Sequence, residues 1–580
     1  MKRIARHRLL AQALGLSLGI GLGLASVPAQ AEDFRVTLPA TAKNAPVDGR
    51  VLVILAAKPD PQPREQVKAD YDSAQVFGVT VDGLKPGNSI TVGSGVLGFP
   101  TLDLKSVPAG RYTVQAVLHR YDTYHLSNGK TVKLPAPRGA GQNWRAEPGN
   151  LFSTPQTVDF DPARPGTIAL TLDNVNPPIT PPADTPFVHH FKMRSALLSK
   201  FWGRDIYLTA HVLVPRDFDK HPEARFPLMI FHGHFPADFG GFRTTPPDPD
   251  LKCERSERFN LPCYNRTEQE EAYAFYQQWI GDAFPRFLAV EIDHSNPYYD
   301  DSYAVNSANL GPYGDAITHE LVPAIEKKFR GLGQGWARFL YGGSTGGWES
   351  LGVQIKYPDD YNGAFAACPD PIDFRQFMLT DIYADKNAYA YEGPFGRVEH
   401  PGKRDWLDHV PYTMEMENRL ELVLGDKNRS GGQWDIWEAV FSPMAADGYP
   451  QRLWDKRTGV IDPKVAAYWR DNYDLRHILE RDWPTLAPKL QGKLHIYVGT
   501  MDNYFLNNAV YLMDDFLKKS DPPYRGVVDY GDRAEHCWSG DHTQPNAISR
   551  LRYHTFYLPQ ILKRIAETAP AGADLKSWRY

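Results

Sequence analysis

A surplus of positive charge is missing: 64 Lys and Arg face 69 Asp and Glu, for a formal net charge of −5. Without a basic excess there is no electrostatic reason to expect nucleic acid or an anionic membrane surface as partner. A second long apolar run is also missing. Beyond Leu9 to Val27 no stretch approaches the length a bilayer demands, so no stable membrane insertion is expected once that segment is gone. Cysteine is scarce, with four in 580 residues, at Cys253, Cys263, Cys368 and Cys537. Four cysteines allow three pairings. Cys253 and Cys263 bracket a short polar loop that a bond between them would close, which leaves Cys368 and Cys537 to each other.

What is present begins with a leader. Lys2, Arg3, Arg6 and Arg8 precede the apolar run, and Ala29-Gln30-Ala31 supplies a small-x-small cleavage site. Residues 1–31 therefore read as a signal peptide, with a mature start near Glu32 and a secreted or periplasmic destination. Its removal takes four basic residues and no acidic ones. The remaining length exceeds one ordinary domain and carries ample material for a large core.

Residues 32–176 read as an all-β sandwich. Val51 to Leu55, Val76 to Val81, Ser89 to Val92, Tyr112 to Leu118 and Thr167 to Leu172 are β-branched or aromatic runs. Turn signals such as Asp82-Gly83 and Pro86-Gly87 separate them. His119, His125, Tyr121, Tyr124 and Trp144 are weighed as a binding face and read as packing. Proline density across 177–186 marks a linker.

Beyond the linker the order changes. Phe187 to Leu198 and Ile206 to Val214 are expected as paired strands joined at Gly203-Arg204. Phe226 to Phe231, Arg286 to Ile292 and Arg338 to Gly342 are continuous apolar runs alternating with helical periodicity over Gln269 to Trp279 and Ala316 to Arg330. That alternation predicts the α/β class, a doubly wound parallel sheet covered on both faces, over 187–371 and again over 491–580. Residues 372–490 interrupt it with a long, polar, aromatic segment expected to be helical or irregular. It carries Trp406, Trp434, Trp437, Trp454, Trp469 and Trp483 and is read as a cap insertion.

Chemistry concentrates at Tyr341-Gly342-Gly343-Ser344-Thr345-Gly346-Gly347. A buried strand, a Gly-x-Ser-x-Gly turn and a helix ending at Pro358 are the context of a nucleophile elbow. A serine hydroxyl needs a general base, and the base an orienting acid, on loops after later strands in the order Ser, Asp, His. Asp502 follows the Leu494 to Val498 strand and His536 follows Val527 to Tyr530, so both fit. His542, Asp514, Asp515 and Asp532 are weaker competitors by position. Backbone N–H groups of Thr345 and His234 are expected as the oxyanion donors. His232 and His234 alone are too few for a metal site, and no metal is expected.

From about residue 187 to 566 the chain resembles the putative esterase family of α/β-hydrolases. That family includes esterase D-type enzymes, feruloyl and acetyl carbohydrate esterases and siderophore esterases. The motifs are Phe226-Pro-Leu-Met-Ile-Phe-His-Gly-His234, Glu320-Leu-Val-Pro-Ala-Ile-Glu326, Tyr341-Gly-Gly-Ser-Thr-Gly-Gly-Trp348 and Tyr357-Pro-Asp-Asp-Tyr-Asn-Gly363. The resemblance implies Ser344, Asp502 and His536 as catalytic residues, no cofactor, and a small-molecule or carbohydrate-linked ester as substrate. An N-terminal sandwich also recurs in such esterases. Two departures stand out: the 372–490 segment is long, and Glu535-His536-Cys537-Trp538 lacks the glycine often found before the histidine. The same triad would serve a peptidase or acyltransferase, and a non-catalytic binding protein is the remaining class.

Overall fold

The structure, a computed structural model, describes residues 32–41, 46–234, 238–256, 261–299, 301–543 and 552–580. The expected leader at 1–31 lies outside them. Among the described residues, no helix is long and apolar enough to cross a membrane.

The N-terminal region is all β. Strand Glu32–Thr37 lies between Gly166–Thr171 and Ser89–Val92 in one sheet. Val47–Ala56 lies between Gln75–Leu84 and Gly110–His125 in the other. The continuous apolar run of residues 51–56 has a period-2 explanation, since successive side chains leave opposite faces of a sheet. Val51, Val53 and Leu55 pack inside the sandwich with Phe34, Phe77, Leu118 and Phe160. Leu52, Ile54 and Ala56 join a second cluster with Leu420 and Val423 from the 372–490 segment. Arg50 seals that contact by donating through Nε to the Val423 carbonyl at 2.9 Å. His119, Tyr121, Tyr124 and Trp144 are buried packing residues, as read, whereas His125 is exposed and bonds Thr131 Oγ1 through Nδ1 at 3.0 Å.

Among the described residues the main sheet has eight strands: β1 (Val188–Ser195), β2 (Ile206–Leu213), β3 (Leu228–His232), β4 (Leu288–Asp293), β5 (Arg338–Gly343), β6 (Ala364–Ala367), β7 (Leu494–Gly499) and β8 (Val527–Gly531). Their spatial order is β1-β2-β4-β3-β5-β6-β7-β8. β2 runs antiparallel to β1 and β4, and β3 to β8 are parallel. This is the α/β-hydrolase architecture. The helices that cover it include α1 (Tyr264–Trp279), α2 (Val322–Phe329), α3 (Thr345–Lys356), α8 (Asn507–Lys519) and α9 (Leu558–Thr568), while α4 to α7 belong to the inserted segment. Register sets the site. His232 pairs with Gly342, Gly343 with Ala367, and Gly499 with Gly531, so the loops after β3, β5, β6, β7 and β8 leave one rim.

Two expectations change. The strand expected to reach Leu198 stops at Ser195, whose Oγ caps a helix over Ala196–Trp202 by accepting from Leu198 N at 3.1 Å. Ala-Leu-Leu-Ser-Lys-Phe-Trp is good helical composition, and Gly203 ends it at φ +67°. The 372–490 segment holds four helices, α4 (Met414–Leu424), α5 (Gln433–Phe441), α6 (Pro463–Tyr473) and α7 (Leu475–Leu490), together with a hairpin of Ala390–Gly393 and Gly396–Glu399. Five of its six tryptophans are buried, and Trp406 alone is exposed. They belong to the core that the segment shares with the main sheet, and Trp483 packs against Phe516 and Tyr524. Cys253 and Cys263 are disulfide-bonded, as the short polar loop between them suggests.

Candidate active site

Ser344 sits between β5 and α3 at φ +57°, ψ −123°, a conformation that costs a non-glycine residue about 1–3 kcal/mol. The surrounding packing demands it. A Cβ on Gly346 would stand 2.0 Å from the His232 carbonyl oxygen, and one on Gly342 2.5 Å from the same atom. Both motif glycines are therefore required by close approach of backbones, and α3 is seated directly on the end of β3. Ser344 itself remains half-buried at the rim.

His536 and Asp502 converge on it. His536 Nε2 lies 3.0 Å from Ser344 Oγ, and its Nδ1 lies 2.8 Å from Asp502 Oδ2. Asp502 is fully buried, and its Oδ1 accepts backbone N–H groups from Tyr504 at 2.9 Å and Leu506 at 3.3 Å. These bonds fix the carboxylate and so the imidazole tautomer that presents Nε2 to the serine. Asn503 joins three loops: its Oδ1 accepts His536 N–H, and its Nδ2 donates to the Arg404 carbonyl and to Glu535. Arg404, from the inserted segment, returns a bond from Nε to the Asp502 carbonyl at 3.0 Å. Burial alone disfavours imidazolium at His536, but Cys537 and Asp502 favour it and the net shift is upward. The competitors are elsewhere: exposed His542 pairs with Asp529 at 2.9 Å, and Asp514 receives Tyr530 OH.

Sequence reasoning overlooked a second carboxylate at the serine. Asp370, three residues past β6, places Oδ1 3.2 Å from Ser344 Oγ, and its N–H donates to the Ser344 carbonyl at 3.2 Å. Its Oδ2 accepts from Tyr303 OH at 2.6 Å and Thr345 Oγ1 at 3.0 Å, and Gln433 of α5 donates to that tyrosine at 2.7 Å. In sequence, Pro369-Asp370-Pro371 reads as a turn, and Tyr303 is too distant to suggest a partner.

The expected Cys368–Cys537 bond is not formed. Both remain thiols, with their sulfurs and a His536 ring nitrogen all within 4.8 Å of one another. Cys368 Sγ is held as the acceptor of Ser344 N–H at 3.3 Å, with the Cys537 sulfur within 4.8 Å of it. Burial pushes the Cys368 thiol far up, so it stays protonated.

Thr345 is the first residue of α3, where backbone N–H groups lack intrahelical acceptors, and the chain from His232 to His234 lies against that turn. The two histidines diverge. His234 contacts Asp301 through Nδ1 and Thr345 Oγ1 through Nε2, the latter at 3.1 Å. Fully buried His232 bonds His294 at 3.1 Å, and His294 lies 3.2 Å from Glu349 of α3. Burial pushes His232 down to about 3, so this chain is held by neutral imidazoles behind the elbow. His294 and Glu349 complete a set of ligand-type groups that sequence spacing hides.

Residues 272–447 match the family model described as putative esterase. Among curated proteins, uncharacterized protein YjcH of Bacillus subtilis (strain 168) is 24% identical over 168 residues, which is 26% of this chain and 70% of that protein. Among solved structures, a ferulic acid esterase covers 66% of this chain and 99% of its own at 11% identity and a TM-score of 0.32. An S-formylglutathione hydrolase from Agrobacterium tumefaciens covers 66% and 97% at 14% identity and a TM-score of 0.33. The resemblance read from the elbow and its neighbouring motifs therefore holds over 272–447, where the chain, with Ser344 inside the segment, matches the putative esterase family.

Proposed function

We propose that the protein is a secreted serine hydrolase that cleaves carboxylic esters through an acyl-enzyme. The observation that carries this reading is the hydrogen-bonded chain from Ser344 Oγ to His536 at 3.0 Å and on to Asp502 at 2.8 Å, at the rim of an α/β-hydrolase sheet. In this reading Ser344 attacks the ester carbonyl while His536 takes its proton. Asp502 holds the imidazole and stabilises the imidazolium that forms. Backbone N–H groups of Thr345 and His234 bind the oxyanion. His536 then protonates the departing alcohol, and water activated by the same imidazole releases the acid. The family match over 272–447 supports an ester over an amide, and the leader together with the Cys253–Cys263 bond supports export. We read 32–176 as a sandwich domain, 187–371 with 491–580 as the hydrolase core, and 372–490 as its cap, which reaches the acid loop through Arg404.

The test is reaction of the purified protein with a neutral fluorophosphonate and mass mapping of the adduct. An adduct on Ser344 that is lost in His536→Ala is expected. A folded wild-type protein that gives no adduct would overturn the assignment, and faster turnover of amides than of matched esters would replace esterase by peptidase.

A further inference from the structure

The Ser344 hydroxyl has one proton and two acceptors. His536 Nε2 is 3.0 Å away and Asp370 Oδ1 is 3.2 Å away. The two Asp370 oxygens are not equivalent. Oδ2 is saturated by Tyr303 OH and Thr345 Oγ1, whereas Ser344 Oγ is the one donor recorded for Oδ1 among the described residues. One proton cannot serve both, so with Ser344 bonded to His536, and again once the serine is acylated, Oδ1 has no donor among the described residues. Asp370 is nearly fully buried, and a buried carboxylate oxygen left without a donor carries a substantial desolvation cost.

The carboxylate cannot swing away to recover one. Its backbone N–H is bonded to the Ser344 carbonyl, and Tyr303, itself held by Gln433, grips Oδ2. Burial raises its pKa, with Tyr303, His234 and Thr345 acting against that rise. A bound substrate is placed to supply the donor. Standard bond lengths put a substituent on the acyl α-carbon about 3 Å from the esterified serine oxygen. An acceptor 3.2 Å from that oxygen is within reach of such a group.

We propose that Asp370 is a specificity residue that selects acyl groups bearing a hydrogen-bond donor, an ammonium or a hydroxyl, on the carbon next to the ester carbonyl. This inference rests on Ser344 being the nucleophile of an esterase. It goes further by naming the acyl class. An acyl group with only hydrogen or carbon at that position leaves Oδ1 buried and unbonded in the acyl-enzyme, and discrimination of about 10- to 100-fold in kcat/KM follows.

The experiment compares ethyl esters of alanine, lactate and isobutyrate, which place ammonium, hydroxyl and methyl at one position. The kcat/KM ratios are read within each enzyme, so that a general loss of activity cancels. In the wild type, alanine or lactate ester is expected to exceed isobutyrate by at least about tenfold. Asp370→Asn keeps an acceptor without the charge. A preference for ammonium should collapse in it, whereas a preference for hydroxyl should survive. Asp370→Ala should bring all three ratios near unity. Equal rates for the three esters in a wild type whose Ser344 labels with fluorophosphonate would overturn the specificity proposal and leave the esterase reading standing. Failure of Ser344 to label would overturn both. If Asp370→Ala does not fold, an ammonium preference is decided by the Asn variant, where an unchanged ammonium-to-methyl ratio refutes the role, and a hydroxyl preference by Asp370→Leu, where an unchanged hydroxyl-to-methyl ratio refutes it.

Discussion

Replacing Gly346 by alanine tests the claim that the elbow and the end of β3 are a single packed unit. The added Cβ would meet His232 O at 2.0 Å, His232 C at 2.6 Å and Gly233 N at 3.1 Å, all backbone atoms. Ordinary contact begins near 3.4 Å, so β3 and α3 must separate by more than an ångström. Overpacking of this kind costs about 1–3 kcal/mol, offset by up to about 1 kcal/mol from alanine's better helix propensity. The expected loss of Tm is therefore a few degrees. Activity should suffer more. His234 is the expected oxyanion donor on the displaced segment, and a shift of about 1 Å in a catalytic group costs on the order of 100-fold. The assay pairs the second-order rate of fluorophosphonate labelling with thermal unfolding. Gly95→Ala serves as the control, because nothing lies within 4 Å of the Cβ it adds. A labelling rate in Gly346→Ala within about threefold of wild type would refute the argument that this contact sets the geometry of the site.

Two further predictions concern the base and the cap. In the proposed mechanism His536 acts as base only when neutral, and its pKa is raised in the folded protein. The acid limb of kcat/KM should therefore lie above the ordinary histidine value of about 6.5, with activity climbing as pH rises through it. Cys537→Ala removes one of the two influences that favour imidazolium, so the limb should move to lower pH. A limb that stays put would assign the shift to Asp502 alone. In the 372–490 segment, proposed as the cap, Lys456 is buried with its Nζ 2.5 Å from both Glu421 and Asp435. Lys456→Met leaves buried Glu421 without a cation and Asp435 with Arg452 alone, at about 3–5 kcal/mol. A fall in Tm of several degrees is expected in thermal unfolding, and an unchanged Tm would show that those carboxylates are neutral without the lysine.

Some of this was legible locally. Strand, Gly-flanked serine and helix succeed one another within twenty residues, and the elbow follows from that order because its strain is resolved by neighbouring glycines. Asp502 and His536 were found by their place after strands, since loops at one end of a parallel sheet share a rim whatever their distance in sequence. Ser195 as a helix cap was missed because the aromatic residues around it also suit a strand. That most tryptophans of 372–490 are buried was not legible, because composition carries no information on which way a side chain faces.

The sequence by itself determined the class of fold, the elbow serine and the order of the groups that meet it, because each rests on periodicity, turn chemistry or chain order. Only the tertiary structure decided that Asp370 shares the serine hydroxyl, that Cys368 and Cys537 stand as thiols beside His536, and that Glu349 and His294 back the elbow through His232. Each of these depends on the register between strands distant in sequence, such as Gly343 beside Ala367. Strands buried on both faces are apolar throughout, so no alternation in the sequence marks the register before the chain folds.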